Sequence, residues 1–232
     1  MILVPEAKIM GRTVVIGDIH GCFDELTLLF DTVGLLPSDK VVAVGDLVTK
    51  GPKNKEVLDL FMADSRLSSV LGNHDLALLR FRRGEAITLK IHQQQAFNEL
   101  KGYEERYFEY LDTLPFTIDL DSHLIVHAGL RPGVPLGRQS PDDLTALRTL
   151  GADRTSRDGI PWYEVYDSDK VVLFGHWPAF EPRLGRRAIG LDTGCVYGNK
   201  LTGYIIETGE FVSVPAYRAY AIPKNREDGQ PR

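Results

Sequence analysis

The stretch RTVVIGDIHG, residues 12–21, decides how the rest of the chain is interpreted. Its centre is a short, continuous apolar run rich in β-branched residues, which is typical of a strand buried on both faces of a sheet. Directly after this run come Asp18 and His20, two residue types that bind metal ions. The amphipathic stretch 23–33 follows, so the chain begins with a strand, a tight turn and a helix.

The same order of elements recurs twice more along the chain. Residues 40–45 (KVVAVG) precede a predicted helix at 54–63, and residues 67–71 (LSSVL) precede another that starts at about Asp75. Repeated strand-loop-helix units are typical of an α/β core with parallel strands.

The second half of the chain is richer in β-structure. A helical stretch at about 85–114 predicts a small cap, and a loop-rich segment over 131–161 is expected to cover one end of the sheets. Strands are predicted at 116–120, 123–127, 170–174, 187–191, 201–206 and 210–214. The fold class is therefore α/β, with a β-sandwich of mixed sheets flanked by helices. We predict one domain over residues 1–222 and a disordered tail over 223–232.

Composition excludes several classes of function. The chain has 232 residues and a formal net charge of -5, so no nucleic-acid or acidic-membrane surface is expected. No segment is long and apolar enough to predict a membrane span. The two cysteines, Cys22 and Cys195, are too few for a disulfide framework and suit a reducing compartment. We expect a cytoplasmic protein.

Metal-ligand residue types stand at five predicted strand ends. Their motifs are GDIHG (17–21), GDLVTKGP (45–52), GNHD (72–75), VHAG (126–129) and FGHW (174–177). The carboxyl ends of strands in an α/β sheet lie close together, so these motifs can meet in space. A single histidine after a strand is usually a core residue, but each of these motifs also carries a glycine, which allows close backbone approach.

These motifs predict a site for two divalent metal ions. The candidate ligands are Asp18, His20, Asp46, Asn73, His127 and His176. A mixture of carboxylate, imidazole and carboxamide suits Mn, Fe, Zn or Co better than Mg or Ca, and Mn is our first expectation. Two such ions, sharing Asp46, can clamp the attacking and leaving oxygens of a displacement at phosphorus.

Four further residues are candidates for substrate chemistry. His74 follows a predicted ligand and can protonate the leaving oxygen as general acid, or it can serve as a hydrogen-bond partner of a ligand. Lys50, Arg131 and Arg148 can bind the phosphate oxygens, or they can be solvated surface charges.

Taken together, these motifs resemble the signature of the calcineurin-like metallophosphoesterases, in the phosphoprotein-phosphatase branch, over residues 12–206. The stretches GNHDLALL, FGHW and LDTGCVYGNKLTGY are most similar to symmetrical diadenosine tetraphosphatases and ApaH-like phosphatases. The resemblance implies Asp18, His20 and Asp46 on one metal. It implies Asp46, Asn73, His127 and His176 on the other, with His74 as the acid.

Three positions depart from the pattern of protein phosphatases in that branch, which read GDxVDRG and GNHE. Here Thr49 replaces an Asp, Lys50 an Arg and Asp75 the Glu. The Thr lacks the carboxylate that orients the acid histidine in those enzymes, so the partner of His74 is an open question. Lys50 thus has a compact ammonium charge where the protein phosphatases have the planar, two-pronged guanidinium of an arginine.

The predicted function is hydrolysis of a polyphosphate-containing small molecule. Diadenosine tetraphosphate, cut symmetrically into two ADP, comes first, and inorganic polyphosphate or capped RNA ends come next. A serine/threonine protein phosphatase acting on a phosphoprotein is the alternative. A catalytically inactive metal-binding scaffold is the third hypothesis, and the intact set of ligand residues argues against it.

Overall fold

A computed structural model of the protein describes residues 11–222. The strands, in chain order, are β1 Thr13–Ile16, β2 Lys40–Ala43, β3 Leu67–Ser69, β4 Thr117–Asp119, β5 His123–Val126, β6 Val171–Phe174, β7 Arg183–Leu184, β8 Ala188–Gly190, β9 Lys200–Ile205 and β10 Glu210–Pro215. The helices are α1 Phe23–Val33, α2 Asn54–Ala63, α3 Asn73–Arg82, α4 Ile91–Glu99, α5 Glu104–Thr113, α6 Pro141–Ala146 and α7 Trp162–Val165. None of these helices has the length and apolarity needed to span a bilayer.

The strands form two mixed sheets of five. The first has the order β10-β9-β1-β2-β3, in which β1, β2 and β3 are parallel and β9 pairs antiparallel with both β1 and β10. The second has the order β4-β5-β6-β8-β7, with β5, β6 and β8 parallel and antiparallel strands at both edges. The predicted α/β sandwich of mixed sheets flanked by helices is confirmed.

Strand β1 is buried on both faces, which explains its continuous apolar sequence. Val14 and Ile16 pack with α1 residues such as Leu26 in one apolar cluster. Val15 points the other way and packs with residues of the second sheet, including Leu173. Successive side chains of a strand alternate between its faces, so a strand between a helix layer and a second sheet needs apolar residues at every position.

The stretch predicted as a cap contains α4 and α5, which pack on α2 and α3. Phe97 of α4 joins them, because its ring lies 5.0 Å from that of Phe81 and 5.6 Å from that of Phe108. The loop-rich segment 131–161 differs from expectation by containing the short helix α6, which Ser140 caps by accepting the amide of Asp143. The predicted tail, 223–232, lies outside the described residues.

Asp39, a buried residue directly before β2, gives a first prediction. Its buried carboxylate accepts hydrogen bonds from the backbone and guanidinium of Arg12 and from the amide of Leu36. Burial alone would raise the pKa of Asp39, but these hydrogen bonds outweigh it and lower the pKa to about 2.

A folded-state pKa below the ordinary value of 3.8 means that the ionised carboxylate stabilises the fold above about pH 4 and that this stabilisation is lost as the pH falls towards 2. We expect Asp39→Asn to lower the free energy of unfolding by about 2 kcal/mol at neutral pH. Urea unfolding at a series of pH values should show the difference from wild type shrinking below about pH 4. A difference that is independent of pH would contradict this account.

Candidate metal centre

The residues predicted as ligands lie in loops that leave the carboxyl ends of strands from both sheets. Asp18 and His20 follow β1, Asp46 follows β2, Asn73 begins α3 after β3, His127 follows β5, and His176 follows β6. The structure brings all six together at one end of the sandwich. Each loop is short, so the strands on which the loops stand set the positions of these side chains.

Asp46 occupies the middle of the group. Its Oδ2 atom lies 3.5 Å from Nε2 of His20 and 3.5 Å from Nε2 of His127. Ligand atoms of His20, Asp46 and His74 lie within 4.8 Å of one another, and so do those of Asp18, Asp46 and His127. Asp46 belongs to both groups, as the shared carboxylate of two neighbouring ions would. The groups differ from the two predicted ligand sets, because the first includes His74 and the second places Asp18 beside His127.

Asn73 lies between two of the histidines, His127 and His176. Its Oδ1 atom is 3.0 Å from Nε2 of His127 and 2.8 Å from Nδ1 of His176. Ligand atoms at about 2.1 Å from one ion and at right angles to each other lie about 3 Å apart. These separations fit ligands of a common ion.

Backbone carbonyls fix which nitrogen each histidine offers. Nδ1 of His127 lies 2.8 Å from the carbonyl oxygen of Val44, and Nδ1 of His20 lies 3.2 Å from that of Val48. A carbonyl only accepts hydrogen bonds, so Nδ1 carries the proton in both rings. Nε2 of each ring is left unprotonated and lies 3.5 Å from Oδ2 of Asp46, which is the form that a metal-binding histidine needs.

Burial makes the charged forms of these groups unfavourable. It raises the pKa of Asp46 to about 6, although Lys50 partly offsets the effect, and it also raises the pKa of Asp18. It lowers the pKa of His127 to about 4. Bound divalent cations would favour ionised carboxylates and unprotonated imidazoles, which are the forms that coordinate. The buried Nε2 atom of His176 has no hydrogen-bond partner among residues 11–222. The donor set therefore fits divalent ions.

The backbone is strained at this site. Among residues 11–222, the non-glycine residues with positive φ are His20, Asp46, Thr49, Lys50 and His176. All five belong to the strand-end motifs that carry the predicted ligands, and such conformations are costly unless the surrounding structure enforces them. Gly45, with φ 99°, shows how crowded the loops are, because a Cβ atom there would lie 2.8 Å from Nδ1 of His127.

Two of the three predicted phosphate-binding cations lie at the centre. Nζ of Lys50 is 2.7 Å from Nε2 of His20 and 5.3 Å from the ring centroid of Tyr197. The guanidinium of Arg148 donates from Nη2 to the carbonyl oxygen of His176 at 3.3 Å, while its buried Nε has no partner within the described part of the chain.

Arg131, the third predicted cation, is engaged in an ion pair. Its guanidinium forms a two-pronged ion pair with Asp143, with Nε 2.8 Å from Oδ2 and Nη2 3.0 Å from Oδ1. The donors that a phosphate would need are already used, so the geometry gives no support to the phosphate contact predicted from the sequence.

Asp192 is a further acidic residue near the centre that was not predicted from the sequence. This buried residue follows β8, and its charge acts on Asp18, Asp46 and Lys50. Its Oδ1 atom accepts the amide of Gly194 at 3.0 Å. The signal was present, since LDTG has the same strand-end acid and nearby glycine as the motifs that were recognised.

The partner of His74 is now visible. Its Nδ1 atom lies 2.9 Å from Oγ1 of Thr49. The partner of His74 is therefore a hydroxyl and not a carboxylate. Asp75 has a different role, because its buried carboxylate accepts the amides of Leu47, Val48 and Gly72. Asp75 thereby ties the loop that follows β2 to the first turn of α3.

A family model described as calcineurin-like phosphoesterase matches residues 11–205. The chain belongs to this family. The relatives include the asymmetrical bis(5'-nucleosyl)-tetraphosphatase PrpE of Bacillus subtilis (strain 168), which is 32% identical over 89% of this chain and 95% of its own length. The symmetrical bis(5'-nucleosyl)-tetraphosphatase of Janthinobacterium sp. (strain Marseille) is 29% identical over 82% of this chain and 91% of its own length.

Solved structures agree with this assignment. A crystal structure provisionally described as a diadenosine tetraphosphatase superimposes with a TM-score of 0.80 at 32% identity, covering 90% of this chain and 96% of that one. A serine/threonine phosphatase from Saccharomyces cerevisiae reaches a TM-score of 0.65 at 15% identity, covering 94% of this chain and 83% of its own. The second likeness shows the fold alone. Family and relatives together make this protein a phosphoesterase of the hydrolase class, as predicted.

Proposed function

We propose that the protein hydrolyses a phosphoanhydride bond of dinucleoside tetraphosphates with the help of two divalent metal ions. The observation that carries the proposal is the position of Asp46, whose Oδ2 atom is equidistant, at 3.5 Å, from Nε2 of His20 and of His127. Asp18 and His20 would complete one ion site. Asn73, His127 and His176 would complete the other.

The protein's own groups have separate tasks in this proposal. When bound, the ions supply Lewis acidity that activates water and neutralises phosphate charge. Lys50 and Arg148 hold phosphate oxygens of the substrate, and His74 donates a hydrogen bond to the leaving oxygen. Arg131 is left out, because it is engaged by Asp143.

We base the expected position of cleavage on the relatives and not on the sequence motifs. The motifs predicted symmetrical cleavage into two ADP, whereas relatives at 32% and 30% identity, from Bacillus subtilis and Halalkalibacterium halodurans, are named asymmetrical. We therefore expect AMP and ATP from diadenosine tetraphosphate. Chromatography of the early products is the test, and ADP as the sole product would favour the symmetrical reaction instead.

The same assay covers the alternative substrates. A panel of diadenosine tetraphosphate, inorganic polyphosphate, capped RNA, a phosphopeptide and an activated phosphomonoester should show the dinucleotide as the best substrate by kcat/KM. Brisk turnover of the phosphopeptide with an intact dinucleotide would replace our proposal with a serine/threonine protein phosphatase.

His74 gives a further prediction. His74→Asn should slow substrates with poor leaving groups by roughly 10²–10³-fold, the range expected when one hydrogen-bond donor to developing negative charge is removed, and should affect good leaving groups much less. Metal analysis of the variant should show wild-type content, since His74 is not in the proposed ligand set. Metal loss in parallel with activity would instead make His74 a ligand.

Three smaller proposals accompany this function. Mn is the ion we expect first, with Fe, Zn or Co as alternatives, because the donors mix imidazole with oxygen. A cytoplasmic location is supported by two buried free thiols, Cys22 and Cys195. A single domain over residues 1–222, with α4 and α5 as its cap, stays a prediction.

A further inference from the structure

Thr49 has a backbone conformation that a β-branched residue rarely adopts. Its φ is 81°, and the residue is fully buried. A conformation of this kind persists only where neighbouring contacts enforce it, and it is often found where a side chain must be aimed. Here it brings Oγ1 to within 2.9 Å of Nδ1 of His74.

Asn54 is the contact that holds Thr49. Its Oδ1 atom accepts the amide of Thr49 at 2.6 Å, and its Nδ2 atom donates to the carbonyl oxygen of Gly51 at 3.2 Å. The Asn54 side chain is buried and bonded at both ends, so its orientation is fixed. The loop carrying Thr49 is thereby tied to the first residue of α2.

Glu99 extends this connection to the cap. It is the last residue of α4, and its Oε2 atom accepts a hydrogen bond from Nδ2 of Asn54 at 2.6 Å. Its Oε1 atom accepts the amide of Lys55 at 3.1 Å. A chain of hydrogen bonds thus runs from the cap through Asn54 and Thr49 to His74.

The direction of the last hydrogen bond follows from its neighbours. Nδ1 of His20 carries a proton, because it faces the carbonyl oxygen of Val48, and it also lies 3.5 Å from Oγ1 of Thr49. The oxygen of Thr49 therefore faces an N–H donor on that side. Among residues 11–222, Nδ1 of His74 is the acceptor left for the hydroxyl proton of Thr49.

We propose that Thr49, held by Asn54 and Glu99, is a positioning residue that donates its hydroxyl hydrogen bond to Nδ1 of His74. The ring proton of His74 then stays on Nε2, the nitrogen that Thr49 does not engage. This inference rests on the proposed function for the role of His74 in catalysis.

The hydroxyl of Thr49 affects the class of substrate that His74 can serve. A carboxylate at position 49 would accept a hydrogen bond from a protonated Nδ1, whereas a hydroxyl can donate one to an unprotonated Nδ1. A ring held in this way offers a hydrogen bond from Nε2 to the leaving oxygen. Such a donor is sufficient for a phosphate leaving group of low basicity and is less effective for an alkoxide. Thr49 therefore selects for phosphoanhydrides over alkyl phosphoesters.

The tautomer of His74 can be measured without any turnover. In the Zn²⁺-loaded protein, side-chain ¹⁵N chemical shifts, assigned by the loss of signals in His74→Asn, should show protonated Nε2 in wild type and in Thr49→Ser. Thr49→Val keeps the shape of the side chain but removes the hydroxyl, so a mixture of tautomers is expected. Protonated Nδ1 in wild type, or an unchanged spectrum in Thr49→Val, would overturn the proposal.

Kinetics tests the chain of hydrogen bonds. On an aryl phosphate with a poor leaving group, Thr49→Val should lower kcat by about 10–100-fold and Glu99→Gln by about 3–10-fold, with KM and metal content unchanged. Thr49→Ser should recover most of the rate, and a good leaving group should reduce every effect. Glu105→Gln, at an exposed glutamate of α5 in the same cap, is the matched control for Glu99→Gln.

Two negative results have different meanings. Equal losses on good and poor leaving groups, or no rescue by Ser, would reduce Thr49 to a packing role and overturn the inference. A wild-type protein that hydrolyses neither dinucleotides nor aryl phosphates would overturn the proposed function, and the ¹⁵N measurement would still decide the direction of the hydrogen bond.

Discussion

Asp46→Asn is expected to lower turnover by about three orders of magnitude or more, the largest effect of any single substitution in the centre. Both groups of ligand atoms contain Asp46, and its Oδ1 atom also accepts the amide of His74 at 2.8 Å. An amide in its place has one acceptor oxygen, so it cannot serve both groups and the backbone of α3 at once.

Metal analysis separates loss of ions from loss of chemistry in this variant. We expect Asp46→Asn to bind fewer ions per chain than wild type. Asp31→Asn, at an exposed aspartate of α1, should match wild type in both metal content and rate and serves as the control. An Asp46→Asn protein with full metal content and full activity would show that the bridge is misassigned.

Removal of metal is expected to abolish activity, and addition of Mn or Co should restore it where Ca does not. The reason is the donor set, since three of the six proposed ligands are imidazoles and one is a carboxamide, whereas Ca prefers an all-oxygen shell. The experiment is dialysis against a chelator, removal of the chelator, and assay after titration with each ion.

Circular dichroism of the stripped protein is the control, because it distinguishes loss of ions from loss of the fold. Full activity in metal-free protein would contradict the assignment of the centre. Recovery with Ca alone would mean that the histidines are not ligands.

The fold was predictable because its strands are of two easily recognised kinds. β1 and β2 have apolar, buried residues at every position after their first residues, Thr13 and Lys40, as strands buried on both faces must. β9 and β10 match the strands predicted at 201–206 and 210–214, which Thr208 and Gly209 separate. β7 was not predicted, because a strand of two residues, Arg183 and Leu184, is too short to show an alternating pattern. α6 was not predicted, because its six residues lie among residue types that favour loops.

Residues of the centre could be predicted from the sequence where they directly follow a predicted strand. The six proposed ligands met this condition, and their side chains do converge. Asn54 and Glu99 could not have been found in this way, because their roles depend on hydrogen bonds between distant parts of the chain. The pairing of Arg131 with Asp143 was likewise invisible, since nothing in the local sequence tells a phosphate-binding arginine from one that is already paired.

The left-handed residues of the centre set a limit on how this protein can be made more heat-resistant. Glycine at Thr49 or Lys50 would relieve the strain of a positive φ, yet it would delete the hydroxyl or the ammonium at that position. Substitutions that relieve the backbone strain of these loops would therefore remove groups that catalysis needs. Stabilising changes that preserve activity must be sought on the helices and outer strands, where backbone geometry and function are independent.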